Sequence, residues 1–141
     1  METIFRNRLP IQLRFNDIDV VGHVNNAVYL NFFDLGKTAY FEAVKGGHID
    51  WSETDFVIRH IEADYQVPTF YRDQIEVDTA VVKIGTKSIQ LEQRIIDTKN
   101  NVVKCVCKTV MVGFDKDTNT AKPICDYWKD AIRAYEQNPE L

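Results

Sequence analysis

Long apolar runs and a surplus of basic charge are both missing from this sequence of 141 residues. No run approaches the roughly 18 apolar residues that a membrane-spanning helix needs. The first ten residues contain no apolar stretch, so we expect no secretory signal. The net charge of −4 argues against a nucleic-acid-binding protein, because such proteins usually carry excess basic charge. The remaining composition, 45% hydrophobic and 27% charged, is that of an ordinary globular protein.

Cysteine and histidine are scarce, with three of each, and neither is arranged as in a common metal site. An odd number of cysteines cannot pair completely, and Cys105 and Cys107 would lie side by side on one face of a strand. We therefore expect reduced thiols and a cytoplasmic protein. The histidines at positions 23, 48 and 60 include no pair four residues apart, so we expect no zinc site, no other metal and no cofactor.

A long buried helix is predicted over residues 26–45. Polar side chains recur every three or four residues through this segment and form one narrow stripe. Apolar side chains fill both sides of the stripe, an arc wider than a helix lying on a surface needs. Gly36 costs about 1 kcal/mol relative to alanine inside a helix, so we expect a close approach to a sheet there. A Gly-Gly pair follows the segment and suits the end of the helix.

Alternating apolar residues predict strands on both sides of this helix. The predicted strands cover residues 8–15, 56–67, 75–84, 88–97 and 102–114. A second helix is predicted from Ile124 to about Gln137, with one side formed by Tyr127, Trp128, Ala131 and Tyr135. One antiparallel sheet curled around one wide apolar helix is an α+β fold. We expect a single domain over residues 1–141 with its core at about 8–115.

The last predicted strand carries an outward set of side chains that is too apolar for a solvated face. This set consists of Val102, Val106, Val110 and Val112. It predicts that the protein is an oligomer, because the valines would otherwise form an apolar strip in water. Lysines occur between and near these valines, and we expect most of them to be solvated: Lys83, Lys87, Lys104 and Lys108.

The stretch RFNDIDVVGHVNNAVYL, residues 14–30, crowds acids and a histidine against the start of the long helix. Asn25 or Asn26 is predicted to cap that helix. The first N–H groups of a helix lack intrahelical partners and carry partial positive charge, so this end suits an oxyanion. Asp19 lies six or seven residues upstream and Gly22 lets the chain turn back, so a carboxylate could face those groups across a carbonyl. The same pattern also fits a plain polar turn with a helix cap.

The pattern Asp-x-Asp-x-x-Gly-His-Val-Asn-Asn-x-x-Tyr-Leu over residues 17–30 resembles the signature of hotdog-fold acyl-CoA thioesterases of the 4-hydroxybenzoyl-CoA thioesterase type. The order of elements over residues 8–115 is similar as well, with one helix inside a five-stranded antiparallel sheet. The resemblance implies hydrolysis of an acyl-CoA thioester to free acid and coenzyme A. It also implies a homodimer or homotetramer that builds each active site between two subunits.

The same resemblance implies roles for individual residues. Asp19, the second acid of the pair, would be the catalytic group, and the backbone amide of Asn26 would polarise the thioester carbonyl. The segment GTKSIQ is similar to the segment that meets coenzyme A phosphates, which implies Lys87 and Ser88. Further substrate contacts are expected at Gly22, His23, Asn25 and Tyr29.

Several alternatives remain beside this interpretation. HVNN also resembles the acyl-carrier-protein thioesterases of plants, but those have an asparagine two residues after the catalytic aspartate, where this chain has Val21. A hotdog module that binds acyl-CoA without turnover is an alternative of a different class. Hotdog dehydratases often have prolines near their histidine and acid, and the absence of proline between residues 11 and 67 disfavours them. Members that act on aryl-CoA have aromatic residues at positions 25 and 26, so the asparagines favour a fatty acyl group.

Overall fold

An antiparallel sheet wraps around one long helix, as the sequence predicts. The computed structural model describes residues 2–52 and 54–141. The strands are Asn7–Ile11 (β1), Phe56–Tyr65 (β2), Ile75–Ile84 (β3), Ser88–Asp97 (β4), Val102–Asp115 (β5) and Thr120–Lys122 (β6). The helices are Asn26–Lys45 (α1) and Asp126–Glu136 (α2), and a short 3-10 helix spans Phe15–Asp17. No described helix combines the length and apolar character that crossing a bilayer requires.

The strands are arranged in the order β1-β3-β4-β5-β2, with the short β6 added to the end of β5. All pairings are antiparallel. β2 pairs on one side only, with β5, so its other edge presents unpaired backbone donors and acceptors. The start of α1 lies at the Tyr65 end of β2, where the Tyr65 hydroxyl donates to the Asn26 carbonyl at 3.1 Å.

Helix α1 begins and ends where its capping residues predict. The Asn25 side chain accepts a hydrogen bond from the Ala27 N–H at 2.9 Å, and Gly46 ends the helix with φ of +78°. The close approach predicted at Gly36 is confirmed, because a Cβ there would lie 2.5 Å from Val77 Cγ1. Hydrogen alone fits between helix and sheet at this point, which fixes the depth at which α1 is seated.

The core divides into two clusters along α1. One surrounds the first half of the helix and contains Val24, Tyr29, Phe32, Phe33, Ile75, Val77, Ile95, Cys105 and Cys107. The other surrounds the second half and contains Tyr40, Phe41, Phe56, Val81, Ile89, Leu91, Met111, Ile124 and Ile132. Helix α2 contributes only to the second cluster, so the two halves of α1 are held by different means.

Several boundaries differ from the sequence-based expectation. β1 ends at Ile11 rather than residue 15. The Arg14 N–H donates to the Asp17 carboxylate at 2.8 Å, and this bond stabilises the 3-10 turn that follows the strand. β2 ends at Tyr65 rather than residue 67. The loop expected after β5 contains β6, which pairs back onto β5.

The predicted face of the second helix is partly wrong. Trp128 packs against the second cluster and Ile132 is fully buried, but Tyr127 is 59% exposed. Because α2 begins at Asp126, Tyr127 lies in its first turn on the solvent side. The residues that the pattern misses on the buried side are Ile132 and Glu136.

The outward valines of β5 do not form the exposed apolar strip that the sequence predicts. The four valines are half-buried in a single chain, and most of their neighbours across the sheet are polar, although Val112 pairs with Val57. Val106 lies between Asp64 and Arg94, and Val110 lies between His60 and Gln90. These valines therefore give no support for an oligomer. The unpaired edge of β2 supports one instead, because an edge strand can pair with a strand of a second copy.

Candidate active site

The acids before α1 lie in a narrow loop, residues 17–25, which we call the aspartate loop. The Asn25 N–H donates to the Asp17 carbonyl at 2.9 Å, and the Asp19 N–H donates to the His23 carbonyl at 2.8 Å. These two bonds are rungs of a small antiparallel ladder, so they lie about 7 Å apart along the chain. The ladder therefore places Asp19 at a fixed offset from the start of α1.

The tip of this loop turns at Gly22, which has φ of +84°, a conformation that favours glycine. Its N–H donates to the Asp19 carbonyl at 3.1 Å. The Asp19 carboxylate also accepts hydrogen bonds from two N–H groups of the tip, those of Val21 at 3.0 Å and His23 at 3.3 Å. Both of these bonds use Oδ1, so the carboxylate is oriented by the loop it belongs to.

The two acids of the pair have different surroundings. Asp17 is 1% exposed, and its oxygens accept from the Arg14 N–H at 2.8 Å and the Arg14 guanidinium at 3.0 Å. The hydrogen bond to the guanidinium also raises the pKa of Arg14. Asp19 is half-buried and open to solvent on one side. Asp17 thus holds the chain, and Asp19 is the acid that a ligand can reach.

The start of α1 offers a backbone donor beside this loop. Asn25 is the capping residue, and its side chain occupies the Ala27 N–H. The Asn26 N–H is the first of the helix, a position that has no acceptor within the helix. The Tyr65 hydroxyl donates to the Asn26 carbonyl at 3.1 Å and ties the helix start to the end of β2.

The chain between β2 and β3 supports the aspartate loop, and we call residues 66–73 the crossover segment. The Val24 N–H donates to the Thr69 carbonyl at 2.8 Å. The Tyr29 hydroxyl donates to Thr69 Oγ1 at 2.8 Å, and burial raises the pKa of Tyr29, so this donor stays protonated. The crossover segment thereby joins the loop to the underside of α1.

His23 contacts the same segment. It forms an isolated backbone bridge with Phe70, and the two rings meet edge to face with centroids 5.1 Å apart. Tyr29 is 3% exposed, so in a single chain it belongs to the core, and its expected contact with an acyl group stays a prediction. The contacts of Gly22, His23 and Asn25 with substrate likewise stay predictions.

A groove lies between α1 and β2. Leu30 and Asp34 share the Asn26 face of the helix, since they follow it by four and eight residues. The groove widens into a cavity of about 430 Å³, lined by Asp34, Lys37, Thr38, Trp51, Phe56, Val57, Ile58 and Met111. Ile58 and Ile61 of β2 are partly exposed along its open side. The walls are thus mostly apolar.

Lys87 and Ser88 lie far from Asp19 within one chain. The Gly113 N–H donates to the Lys87 carbonyl at 2.9 Å, and Gly113 pairs with Phe56 at the first residue of β2. Asn26 instead contacts Tyr65, the last residue of β2. Ten residues of strand separate these ends by about 30 Å.

Neither the paired positions of Cys105 and Cys107 nor any cluster of described side chains forms a thiol or metal centre. Cys105 and Cys107 are buried, and burial raises the pKa of the Cys105 thiol to about 12. Among the described residues, no three His, Cys, Asp or Glu side chains are grouped so as to hold a metal.

Sequence reasoning missed the crossover segment and Lys104. The sequence predicts only a turn over residues 68–74. Pro68, followed closely by two aromatic residues, is a signal that this turn packs against another part of the chain. Lys104 was expected to be solvated but is 6% exposed. A bulge in β5 at this position breaks the alternation on which that expectation depended.

Comparison with known proteins identifies the family of this chain. The sequence profile of the thioesterase-like superfamily matches residues 13–132. The acyl-CoA thioesterase YbgC of Haemophilus influenzae is 26% identical over 117 residues, which cover 81% of this chain and 86% of that protein. The acyl-CoA thioester hydrolase YbgC of Escherichia coli is 26% identical over 106 residues, 72% of this chain and 75% of that protein.

Solved structures give the same result. A thioesterase from Thermus thermophilus, complexed with coenzyme A and Zn, superposes with a TM-score of 0.85 at 30% identity, covering 96% of this chain and 97% of that one. A predicted thioesterase from Bacillus stearothermophilus superposes with a TM-score of 0.82 at 27% identity, covering 94% and 97%.

Proposed function

Because the chain belongs to the thioesterase-like superfamily, we propose that it hydrolyses an acyl-CoA thioester to a free acid and coenzyme A. The observation that carries the proposal is the ladder of the aspartate loop. The hydrogen bond of Asp19 in this ladder lies about 7 Å along the chain from the hydrogen bond of Asn25, the residue that caps α1, and so fixes the reachable acid near the helix start. In the proposed binding mode, the thioester lies with its carbonyl oxygen toward the Asn26 N–H and its carbon toward the Asp19 carboxylate.

In the proposed reaction, the Asn26 N–H and the positive end of α1 stabilise the oxyanion that forms when the carbonyl is attacked. Asp19 acts either as the nucleophile, giving an anhydride that water then hydrolyses, or as the base that deprotonates an attacking water. On both routes one water is consumed, the C–S bond breaks, and the sulfur leaves as the thiol of coenzyme A. His23 and Asn25 shape the pocket around the carbonyl.

The acyl group is proposed to be a fatty chain lying in the groove between α1 and β2. Asp34, at the edge of the cavity, follows Asn26 by eight helical residues, a distance of about 12 Å. The apolar side chains along this path, Leu30, Ile58 and Ile61, are partly exposed in the isolated chain. Covering them with a hydrocarbon chain is favourable at roughly 25 cal/mol per Å².

The proposed protein is a homodimer at least, in which the free edges of two β2 strands pair antiparallel. Such pairing sets the Phe56 end of one strand beside the Tyr65 end of the other. Lys87 and Ser88 of one copy would then come near Asp19 of the second, which resolves their separation within one chain. Lys87 would meet the phosphates of coenzyme A there, as an ammonium group suits a phosphate. We also propose a cytoplasmic location, because the three cysteines are unpaired.

A panel of acyl-CoA substrates of increasing chain length tests the activity, with release of free thiol as the measurement. We expect turnover with a preference for fatty over aromatic acyl groups. Binding of acyl-CoA without thiol release would instead identify a non-catalytic module. Turnover of acyl groups on acyl-carrier protein alone would identify a thioesterase of that class.

Light scattering at micromolar concentration tests the assembly. We expect a mass of at least twice the 16.4 kDa of one chain. A fully active monomer would contradict the shared site, since Lys87 and Asp19 cannot meet in one chain.

A further inference from the structure

Lys104 occupies an unusual position in β5. Ile95 of β4 pairs with Cys105 and the next residue, Ile96, pairs with Val103, so Lys104 is the extra residue of a β-bulge. Its carbonyl accepts hydrogen bonds from the Gln66 N–H at 2.9 Å and the Val67 N–H at 3.1 Å. Bulges re-aim a side chain out of the regular alternation of a strand. Here the bulge coincides with the point where the crossover segment leaves β2.

The ammonium group of Lys104 is buried under that segment. It donates to the Pro68 carbonyl at 3.0 Å and forms an ion pair with Asp73 Oδ2 at 3.0 Å. It also lies 5.8 Å from the centre of the Phe70 ring. The same Asp73 oxygen accepts the Phe70 N–H at 2.8 Å. One lysine and one aspartate therefore hold both halves of the crossover segment.

The Lys104–Asp73 ion pair is linked to the candidate active site through Thr69. Thr69, enclosed between Pro68 and Phe70, accepts the Val24 N–H through its carbonyl and the Tyr29 hydroxyl through its side chain. Val24 directly precedes Asn25, the capping residue of α1. The continuous path from Lys104 through the crossover segment and the aspartate loop to the helix start uses only contacts of 3.0 Å or less.

Fold stability alone gives little reason for a lysine here. Burying an ammonium group costs several kcal/mol, and well-packed apolar replacements of buried ion pairs are often neutral or stabilising. What a buried pair provides is a directional constraint, because its hydrogen bonds hold specific atoms at fixed distances. A displacement of about 1 Å at a reacting centre can cost on the order of 100-fold in rate.

Resting on the proposed thioesterase function, we propose that Lys104 and Asp73 are a positioning pair that fixes the oxyanion-binding start of α1 through the crossover segment. Neither residue touches the substrate. The pair acts on the transition state, whose oxyanion needs the Asn26 N–H in place, more than on the ground state.

The test replaces Lys104 by methionine, which keeps most of the stem and removes the charge. We expect kcat to fall about tenfold or more with KM changed less than about threefold, the pattern of an interaction made in the transition state. Lys104→Arg should recover part of kcat. The double variant Lys104→Met/Asp73→Asn should be no slower than the slower single variant, because the two residues act as a unit. Lys108→Met, at an exposed lysine of the same strand, is the matched control.

Hydrogen exchange at the Val24 amide gives a readout that does not depend on activity. Exchange should be at least about tenfold faster in Lys104→Met than in Lys108→Met, since the acceptor of that amide is on the clamped segment. An unchanged exchange rate, or a kcat equal to that of Lys108→Met in an active protein, would overturn the inference. A wild-type protein that hydrolyses no thioester would refute the proposed function, and the exchange measurement would still decide the role of Lys104.

Discussion

The two ends of α1 are held in different ways. At its C-terminal half, Tyr40 and Phe41 are fully buried, and Phe41 packs against Phe56, Trp51 and Trp128. At its start, Asn25 and Asn26 are exposed, and their position depends on hydrogen bonds from the aspartate loop and the crossover segment. Apolar clusters thus pack against both halves of α1, and the first residues of the helix depend in addition on directional polar contacts.

Two carboxyl groups with raised pKa values show a similar contrast. Glu136 of α2 accepts the Tyr40 hydroxyl at 2.7 Å and the Val81 N–H at 2.9 Å, although burial raises its pKa. Glu76, near the site end of the sheet, lies beside Asp78. Among the described residues, Glu76 Oε2 and Asp78 Oδ1 accept no hydrogen bond, although Arg8 Nη1 lies 3.6 Å from Glu76 Oε2 and Arg94 Nε donates to Asp78 Oδ2 at 2.8 Å. Fixed donors therefore satisfy Glu136, whereas Glu76 lies beside a second carboxylate, and a hydrogen bond to Asp78 raises the pKa of Glu76.

We therefore expect stability and chemistry to separate along α1. Regions that bind ligands are commonly the less stable parts of a fold. Changes near Asp19 should therefore act on rate, and changes near α2 should act on the free energy of unfolding.

The largest effect is expected from Asp19→Asn. The change is nearly isosteric and removes the nucleophile or base, so kcat should fall at least ~100-fold while the protein stays folded. Thiol release and thermal unfolding measure the two quantities. Asp17→Asn should slow the reaction less, because Asp17 bonds to Arg14 rather than facing a ligand. A greater loss of rate in Asp17→Asn would reverse our assignment of the two acids.

Ile132→Ala, in α2, tests the apolar cluster that surrounds the second half of α1. Ile132 is fully buried, so removing its side chain should lower the free energy of unfolding by about 2–5 kcal/mol. Urea denaturation measures this change, and kcat should stay the same wherever the variant is folded. Tyr127→Ala on the exposed side of the same helix should change stability by only about 0.5 kcal/mol or less. A large loss of kcat in folded Ile132→Ala would mean that the two ends are not independent.

The ionisation of Glu76 is expected to make the free energy of unfolding depend on pH. Its pKa is raised from 4.5 to about 7, first by a hydrogen bond to Asp78 and then by burial, against the opposing charges of Arg8 and Arg94. A raised carboxyl pKa means that the folded state binds the proton more tightly. Its stabilising contribution is therefore complete below pH 4.5 and is lost as the pH rises to about 7.

The measurement is urea unfolding of wild type and Glu76→Gln at several pH values. Because glutamine stays neutral, the wild type should lose up to about 3 kcal/mol relative to the variant between acidic and neutral pH. Glu62→Gln, at an exposed position of β2, is the control and should leave the pH dependence unchanged. A constant difference between wild type and Glu76→Gln would contradict the raised pKa.

The smallest expected effect concerns substrate binding. Lys87→Glu should raise KM about tenfold and change kcat little, because a phosphate contact remote from the carbonyl stabilises ground and transition states alike. Steady-state kinetics with one acyl-CoA measure both constants. Lys83→Glu carries the same charge change at another exposed lysine and is the control. An unchanged KM in Lys87→Glu would remove Lys87 from the site.

The sequence predicts α1, β3 and β4 to the residue, because a strong period and clear turn residues bound each of them. It also predicts the cap at the start of α1 and the contact at Gly36. It fails where a side chain overrides the local pattern, as Asp17 does at the end of β1. Lys104 was missed because a bulge is a property of strand pairing, which no single segment encodes.

The separation of Lys87 from Asp19 along β2 has a genetic consequence on the proposed pairing. Each site would draw its carboxylate from one polypeptide and its phosphate contact from the other. A strain carrying Asp19→Asn and Lys87→Glu as separate alleles would assemble mixed dimers. In each of them both lesions fall in one site, and the second site is wild type. Two defective genes would thus complement each other, whereas one gene with both changes would not be rescued by its own product.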